Sequence, residues 1–262
     1  MKARAIVIGS GTSTGVPMIG CRCPVCLSDD PKNQRARPAI AIDAPTGRIL
    51  VDAPQELRLQ LLRFGLDDRM DAALITHTHA DHIFGLDDLR GFTEMTGRAI
   101  PVYAEQAALD DLERVFRYIR FPAPAGASKP LIEFHRIEGD FDLCGLRVEP
   151  LRVYHGDMPI LAFRFGSLAY VTDVKRIPPE SWDRLSGLDF LILDAVRIAP
   201  HPTHYNLEEA LAVIAELKPK RAALTHLAHD FDHEATNREL PASVELCYDG
   251  MTIEFEAQEA LR

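Results

Sequence analysis

The stretch "DAALITHTHADH" (71–82) constrains the fold more than any other part of this chain. A short buried strand leads straight into three histidines and an aspartate, a density of metal-ligand types that a solvent-facing turn rarely carries. Alternate side chains of an extended segment share a face, so His77 and His79 can converge on one ion while Thr78 points away. Asp81 and His82 fall where a strand-to-helix turn begins. Asp81 is then free to act as an N-cap or as a ligand for a second ion beside the first.

The rest of the chain supplies the frame for that cluster. "RAIVIG" (4–9) reads as a buried strand, and "AIAIDAPTGRILVDA" (39–53) alternates around a Pro-Thr-Gly turn, which is a hairpin signal. "PQELRLQLLRF" (54–64) has leucines at helical spacing with proline suited to the first turn. Helical patterns recur at 105–118 and 206–218. Strands are expected at 131–137, 146–154, 159–165, 168–172, 189–193, 221–225 and 251–256. Strands alternating with a few helices favour a layered α/β fold over a helical bundle or a pure β-sandwich. The Pro-rich "FPAPAGASKP" (121–130) is too short and too central for a domain linker, so residues 1–262 are expected to form one domain.

Charge and sorting signals narrow the partners. A net charge of −10 disfavours a broad basic face along a nucleic-acid duplex and leaves small anionic substrates open. There is no run of eighteen apolar residues, and "MKARAIVIGSG" is too short in apolar residues for a signal peptide, so no membrane association and a cytoplasmic location are expected. Three of the five cysteines crowd into "CRCPVC", and in a reducing compartment metal binding outranks a disulfide. Cys21, Cys23 and Cys26 supply three soft ligands and leave a tetrahedral zinc one short. His229 follows His226 by three residues, so a single segment can reach two metal sites.

The motif "THTHADH" resembles the metal-binding signature of the metallo-β-lactamase-fold hydrolases. The resemblance implies a four-layer αβ/βα sandwich with two metals at the edge between the sheets. It also implies further ligands at strand ends, and "LRVYHGD", "LAYVTDV" and "RAALTHLAH" offer His155, Asp173 and His226. By the same resemblance His77, His79 and His155 hold one metal, Asp81, His82 and His226 the other, and Asp173 bridges them. Two such cations about 3.5–4 Å apart acidify a shared water and stabilise a leaving oxygen.

Cysteines after "GSGTSTGVPMIG", together with "THLAHDFDH", resemble the PhnP-like cyclic phosphodiesterase branch from about Ile6 to Phe255. This implies a structural zinc on Cys21, Cys23, Cys26 and His229, which fixes the N-terminal loop against the C-terminal half. It implies Mn2+ or Zn2+ at the catalytic pair, and a small phosphate diester such as a cyclic nucleotide or a cyclic sugar phosphate as substrate, cleaved by a metal-activated hydroxide. Asp81 then counts among the catalytic residues, and a homodimer is one option for assembly. The branch also uses a histidine upstream of the last ligand as proton donor. In "APHPTHYNLEEAL" His204 is the better match, with His201 a close competitor.

Three other readings compete. A ribonuclease Z-like nuclease predicts an appended basic arm, and none is evident. A pyrroloquinoline-quinone-pathway relative shares cysteine-bound zinc, but the complete ligand set and His204 weigh against it. A non-catalytic metal-binding protein would have lost ligands, whereas all seven are present. Asp52 and Asp194 end apolar strands and serve either as caps or to orient imidazoles. Arg35, Arg37, Lys175 and Arg197 are candidates for phosphate contact, although such residues are more often solvated charges. "GSGTSTGVP" (9–17) lacks a P-loop ending and is expected to form a tight turn near the site.

Overall fold

The first strands are apolar on both faces because both faces are covered. In β1 (Lys2–Gly9), β2 (Ala39–Ala44) and β3 (Gly47–Val51), Val7, Ile40, Ile42 and Val51 enter one apolar layer while Ile6, Ile8, Ala41 and Leu50 enter another. The computed structural model describes residues 1–123 and 125–258. β1–β3 are joined by β4 (Ala72–Leu74), β5 (Ile100–Ala104), β6 (Ile132–Arg136) and β14 (Thr252–Glu256) in a sheet ordered β14-β1-β2-β3-β4-β5-β6. The second sheet contains β7 (Phe141–Leu143), β8 (Leu146–His155), β9 (Met158–Phe165), β10 (Leu168–Val171), β11 (Phe190–Asp194), β12 (Arg221–Thr225) and β13 (Val244–Leu246), ordered β13-β12-β11-β10-β9-β8-β7.

Each sheet is antiparallel through its first four strands and parallel through its last four: β14-β1-β2-β3 then β3-β4-β5-β6, and β7-β8-β9-β10 then β10-β11-β12-β13. Val51, Leu74, Phe163, Tyr170, Ile192 and Phe255 fill the space between the sheets. The outer face of the first sheet is covered by α1 (Leu57–Arg63), α3 (Arg90–Thr96) and α4 (Gln106–Val115), through Leu57, Leu61, Phe92, Leu109 and Leu112. The outer face of the second is covered by α5 (Pro179–Arg184) and α6 (Leu207–Leu217), through Trp182, Leu185, Ala210, Val213 and Ile214. Helix, sheet, sheet, helix is the expected αβ/βα sandwich.

Local departures from expectation have local causes. Pro54–Glu56 form a turn, with the Leu57 N–H donating to the Pro54 carbonyl at 3.0 Å, and α1 starts only at Leu57. The pattern at 105–118 splits into α4 and a 3₁₀ turn at Arg117–Arg120. β7 and β13 are three residues long, too short for periodicity to register, and β5 carries a proline. α2 (Ala80–Ile83), α3, α5 and α7 (His233–Glu239) are similarly brief. None of the described helices is long and apolar enough to cross a membrane.

Arg35 corrects a reading from sequence. It is neither solvated nor available to phosphate, being 2% exposed. Its guanidinium donates to the Phe231 carbonyl at 2.8 Å, the Asn33 side chain at 3.2 Å and the Ala228 carbonyl at 3.4 Å. Asn33 in turn donates to Asp232 at 3.0 Å and accepts from the His233 N–H at 2.9 Å. The long segment after β1 is thereby fastened to the segment after β12.

Asp249 performs a similar task. Its carboxylate accepts from the Ser10 N–H at 2.9 Å, the Ser10 hydroxyl at 2.8 Å, the Ala36 N–H at 2.7 Å and Gln60 Nε2 at 2.7 Å. Asp249→Ala strands these donors and is expected to lower stability by about 2–4 kcal/mol. Burial lifts the Asp249 carboxyl to about 6, against the pull of its donors. Between about pH 4 and pH 6 the folded chain therefore holds a proton that the unfolded chain releases, and the contribution of Asp249 falls as pH rises. Urea unfolding of the metal-free proteins should show a smaller deficit for the variant at pH 7 than at pH 4.

Candidate metal centre

The residues singled out from sequence gather where the C-terminal ends of strands from both sheets meet. His77, His79, Asp81 and His82 lie in the turn after β4 and in α2, while Asp52 follows β3. His155 ends β8, Asp173 lies just beyond β10, Asp194 ends β11, and His226 follows β12. The turn out of α2 is held by close backbone contact. The Gly85 N–H donates to the Ala53 carbonyl at 2.7 Å, and a Cβ at Gly85 would lie 1.9 Å from the Pro54 carbonyl oxygen. Asp81 is not the N-cap of α2. His79 takes that position without a side-chain cap, which leaves the Asp81 carboxylate facing the site from the first turn.

Asp52, Asp173 and His226 adopt left-handed backbone, with φ of 64°, 56° and 61°. Such backbone costs about 1–3 kcal/mol per non-glycine residue and persists where the surroundings fix it, commonly at functional sites.

The rings are orientated from behind. His82 Nδ1–H donates to Asp52 at 2.8 Å, and His155 Nδ1–H donates to the Thr203 carbonyl at 2.8 Å. Thr76 gives its hydroxyl proton to Asp52, which leaves its oxygen, 3.0 Å from His77 Nδ1, to accept from that ring. With Nδ1 committed as donor, Nε2 of each ring carries a lone pair. Inside the site, His82 Nε2 lies 3.2 Å from Asp173 and 3.4 Å from Asp81, and His226 Nε2 lies 3.2 Å and 3.5 Å from the same two carboxylates. His77 Nε2 is 4.0 Å from Asp173. All three Nε2 atoms are buried without a hydrogen-bond partner. The His79 ring, the most exposed of the set, is centred 4.6 Å from His77 and 5.1 Å from His155.

The charges balance only with added cations or protons. Burial pushes His77 well below the ordinary imidazole range and lowers His79 and His155. Burial also opposes charge on His82 and His226, yet Asp173 and Asp52 lift His82 well above that range, and Asp173 with Asp81 brings His226 to about 9. Despite burial, the facing imidazoles hold the Asp81 and Asp173 carboxyls far below their usual values.

His204 stands at the rim of this cluster. Its Nδ1–H donates to Asp194 at 2.8 Å, and its ring is centred 4.4 Å from His155 and 4.8 Å from His226. Asp194 also accepts from the Val174 N–H at 2.9 Å, so it orients an imidazole and caps a turn at once. Thr76, Thr203 and Thr172, whose hydroxyl donates to Asp173 at 2.6 Å, were not legible as site residues. Of the basic candidates, Arg37 pairs with Glu56, Lys175 with Glu209 at 2.7 Å, and Arg197 with nearby carbonyls.

A second cluster brings the Sγ atoms of Cys21, Cys23 and Cys26 and a ring nitrogen of His229 within 4.8 Å of one another. His229 Nδ1 is 3.2 Å from Cys21 Sγ and 3.3 Å from Cys23 Sγ. The Cys26 N–H, followed by His229, brings the Cys23 thiol down to about 6, whereas burial pushes Cys26 up to about 11.

Two face-to-face mixed sheets with histidines and aspartates at their shared edge define a metallo-β-lactamase-fold protein, and comparison with known proteins agrees. Residues 47–227 match the model of the beta-lactamase superfamily domain. A solved structure described as a new diphosphatase from the PhnP family is 42% identical, with a TM-score of 0.92, and the alignment covers 100% of this chain and 99% of that one. A Porphyromonas gingivalis protein named octanoyltransferase is 38% identical over 253 residues, 95% of this chain and 51% of that protein. A Bradyrhizobium diazoefficiens ribonuclease Z is 32% identical over 143 residues, 53% of this chain and 47% of its own length. The chain thus spans about half the length of these two curated relatives. It belongs to the metallo-β-lactamase-fold hydrolase superfamily, in its PhnP branch.

That fold implies divalent metals, and the donor set fits them. Unpartnered Nε2 atoms beside two carboxylates are the donor types that divalent cations take together.

Proposed function

We propose that this chain is a metal-dependent phosphodiesterase that cleaves small phosphate diesters, cyclic ones among them, and that residues 1–262 work as one domain. The observation that carries the reading is the convergence of His77, Asp81, His82, His155, Asp173 and His226, with the His79 ring beside them and the Nε2 atoms of His77, His82 and His226 buried and unpartnered. His77, His79 and His155 would hold one ion, Asp81, His82 and His226 the other, with Asp173 between them; zinc and manganese both suit such donors. Divalent ions there supply an acidified water as nucleophile and positive charge against the phosphoryl oxygens. A zinc on Cys21, Cys23, Cys26 and His229 would be structural, since four protein ligands leave no open position. Pairing of β14 with β1, which ties both ends of the chain into one sheet, supports a single domain. Free thiols suit a reducing compartment, and the reading places the chain in the cytoplasm.

The protein's own groups orient and transfer protons. Asp52, Thr76 and the Thr203 carbonyl keep three rings in the tautomer that presents Nε2 inward. Asp194 fixes Nδ1–H of His204, which leaves Nε2 to hand a proton to the departing oxygen. Asp52→Asn should weaken metal binding about 10- to 100-fold, read by competition with a chelating dye.

Turnover of bis(p-nitrophenyl) phosphate and of 2′,3′-cyclic nucleotides, by protein of measured metal content, tests the reading. Metal-loaded protein that cleaves no phosphate diester would sink it. His204→Ala should lower kcat on a cyclic nucleotide by about 10²–10⁴ and on the nitrophenyl diester far less, because nitrophenolate leaves without a proton. A ribonuclease Z-like nuclease is the second reading, favoured by the stretch shared with that enzyme. The net charge of −10 weighs against it. Cleavage of structured RNA without turnover of small diesters would put it first.

A further inference from the structure

The rings of the centre are not held equally. His77, His82 and His155 each have a hydrogen-bond partner behind Nδ1, and His226, which has none, is enclosed at 1% exposure. His79 has neither support. Its ring is exposed beside those of His77 and His155, and among the described residues no hydrogen bond reaches its nitrogens. The tether lies one residue away. The Thr78 hydroxyl donates to Asp111 Oδ2 at 3.1 Å, and Asp111 Oδ1 accepts from Arg114 at 3.0 Å within the same helix, α4. The opposite end of α4 holds a second ligand segment. Glu105 stands at the N-cap position without capping the helix, and its carboxylate accepts instead from both terminal nitrogens of Arg152, one of them at 2.6 Å. Arg152 belongs to β8, the strand that ends in His155. Glu105 and Asp111 are both half-buried, and Leu109 and Leu112 seat α4 on the first sheet whether or not an ion is bound.

We propose that α4 is a brace for one ion: Asp111 and Glu105 are positioning residues that hold the His79 and His155 segments in place for the ion those rings share with His77. The inference rests on the assignment of these three rings to one ion in the reading above. A ligand that is free to turn loses rotamer freedom when a cation captures it, and a tether on the adjacent residue reduces that loss. Thr78 stands between two ligands of the same ion, so its tether acts where the ring itself has no support. The groups behind the other ion come from elsewhere. Asp52, which follows β3, holds His82, and Asp194, at the end of β11, lies 3.9 Å from His226 Nδ1. Loosening α4 therefore weakens one ion and spares its neighbour.

Manganese titration provides the test. The full chain, dialysed free of exchangeable metal, is titrated with Mn2+, an ion that oxygen donors take far more readily than thiols do. Electron paramagnetic resonance counts the unbound ion and shows spin coupling when two ions sit side by side. We expect Thr78→Val, Asp111→Ala and Glu105→Ala each to weaken one of the two ions about tenfold and to leave the other within about twofold of wild type. Thr78→Ser and Asp111→Asn, which keep the hydroxyl and an accepting oxygen, should bind close to wild type. In a His79→Ala background Asp111→Ala should add no further loss, because its effect passes through that ring. Losses on both ions, no loss, or a loss that persists in the His79→Ala background would overturn the proposal and leave the phosphodiesterase reading standing. A wild type that shows no coupled pair would sink the two-ion centre on which both rest.

Discussion

His79→Ala is expected to lower kcat/KM on small phosphate diesters by about 10³-fold or more while the metal-free protein melts within a degree or two of wild type. The ring is the most exposed of the converging set and its removal strands no buried partner, so the loss belongs to chemistry and metal binding. Asp173→Ala supplies the contrast. That carboxylate is 2% exposed and faces His82 and His226 at 3.2 Å. Its removal leaves buried imidazoles without their counter-charge, which costs about 3–5 kcal/mol in stability on top of the lost activity. Steady-state kinetics and thermal melts of the two variants separate the roles. Full activity in His79→Ala would reject the proposed centre.

Cys23→Ser is expected to act on stability instead. The thiol cluster with His229 joins the segment after β1 to the segment after β12, and against it lies a small apolar patch of Val16, Met18 and Val25. A patch of that size does not order a loop alone, so on the proposed reading a metal held there would provide much of the folding energy of that part. Loss of one zinc equivalent, a melting temperature lower by several degrees and early proteolysis between residues 13 and 30 are the expected outcome. Elemental analysis and limited digestion check it. Unchanged zinc content in the variant would remove the structural role of the cluster.

The sequence made the fold legible where apolar segments were long. β1, the β2–β3 hairpin, β8 through β12 and α6 lie close to their expected ranges, because four or more residues of pattern distinguish period 2 from period 3.6. Short elements escaped: a three-residue strand such as β13 has no period to detect, and α1 begins three residues late because Pro54 opens a turn. Among site residues, histidine spacing pointed to the front of the centre. The supports behind it were harder to see. Asp52 and Asp194 were legible as strand-ending carboxylates that either cap or orient imidazoles, without the ring each one holds, and the Thr203 carbonyl that aims His155 has no side-chain signature at all. Arg35 was misread because its charge suggested solvent, whereas the carbonyls of Ala228 and Phe231 and the Asn33 amide oxygen enclose it.

The segment from His226 to His233 makes several of the long-range attachments that hold the N-terminal loop. Leu227 exchanges bonds with Ser10 and Thr12 at 2.9 Å and 3.1 Å, Ala228 and Phe231 receive Arg35, and His229 meets the thiols. Eight consecutive residues thus act as a splint shared by the histidine–aspartate cluster and the thiol cluster. Slack introduced at one end arrives at the other, and chemical damage to the thiols should therefore register as a looser grip on the ion beside His226.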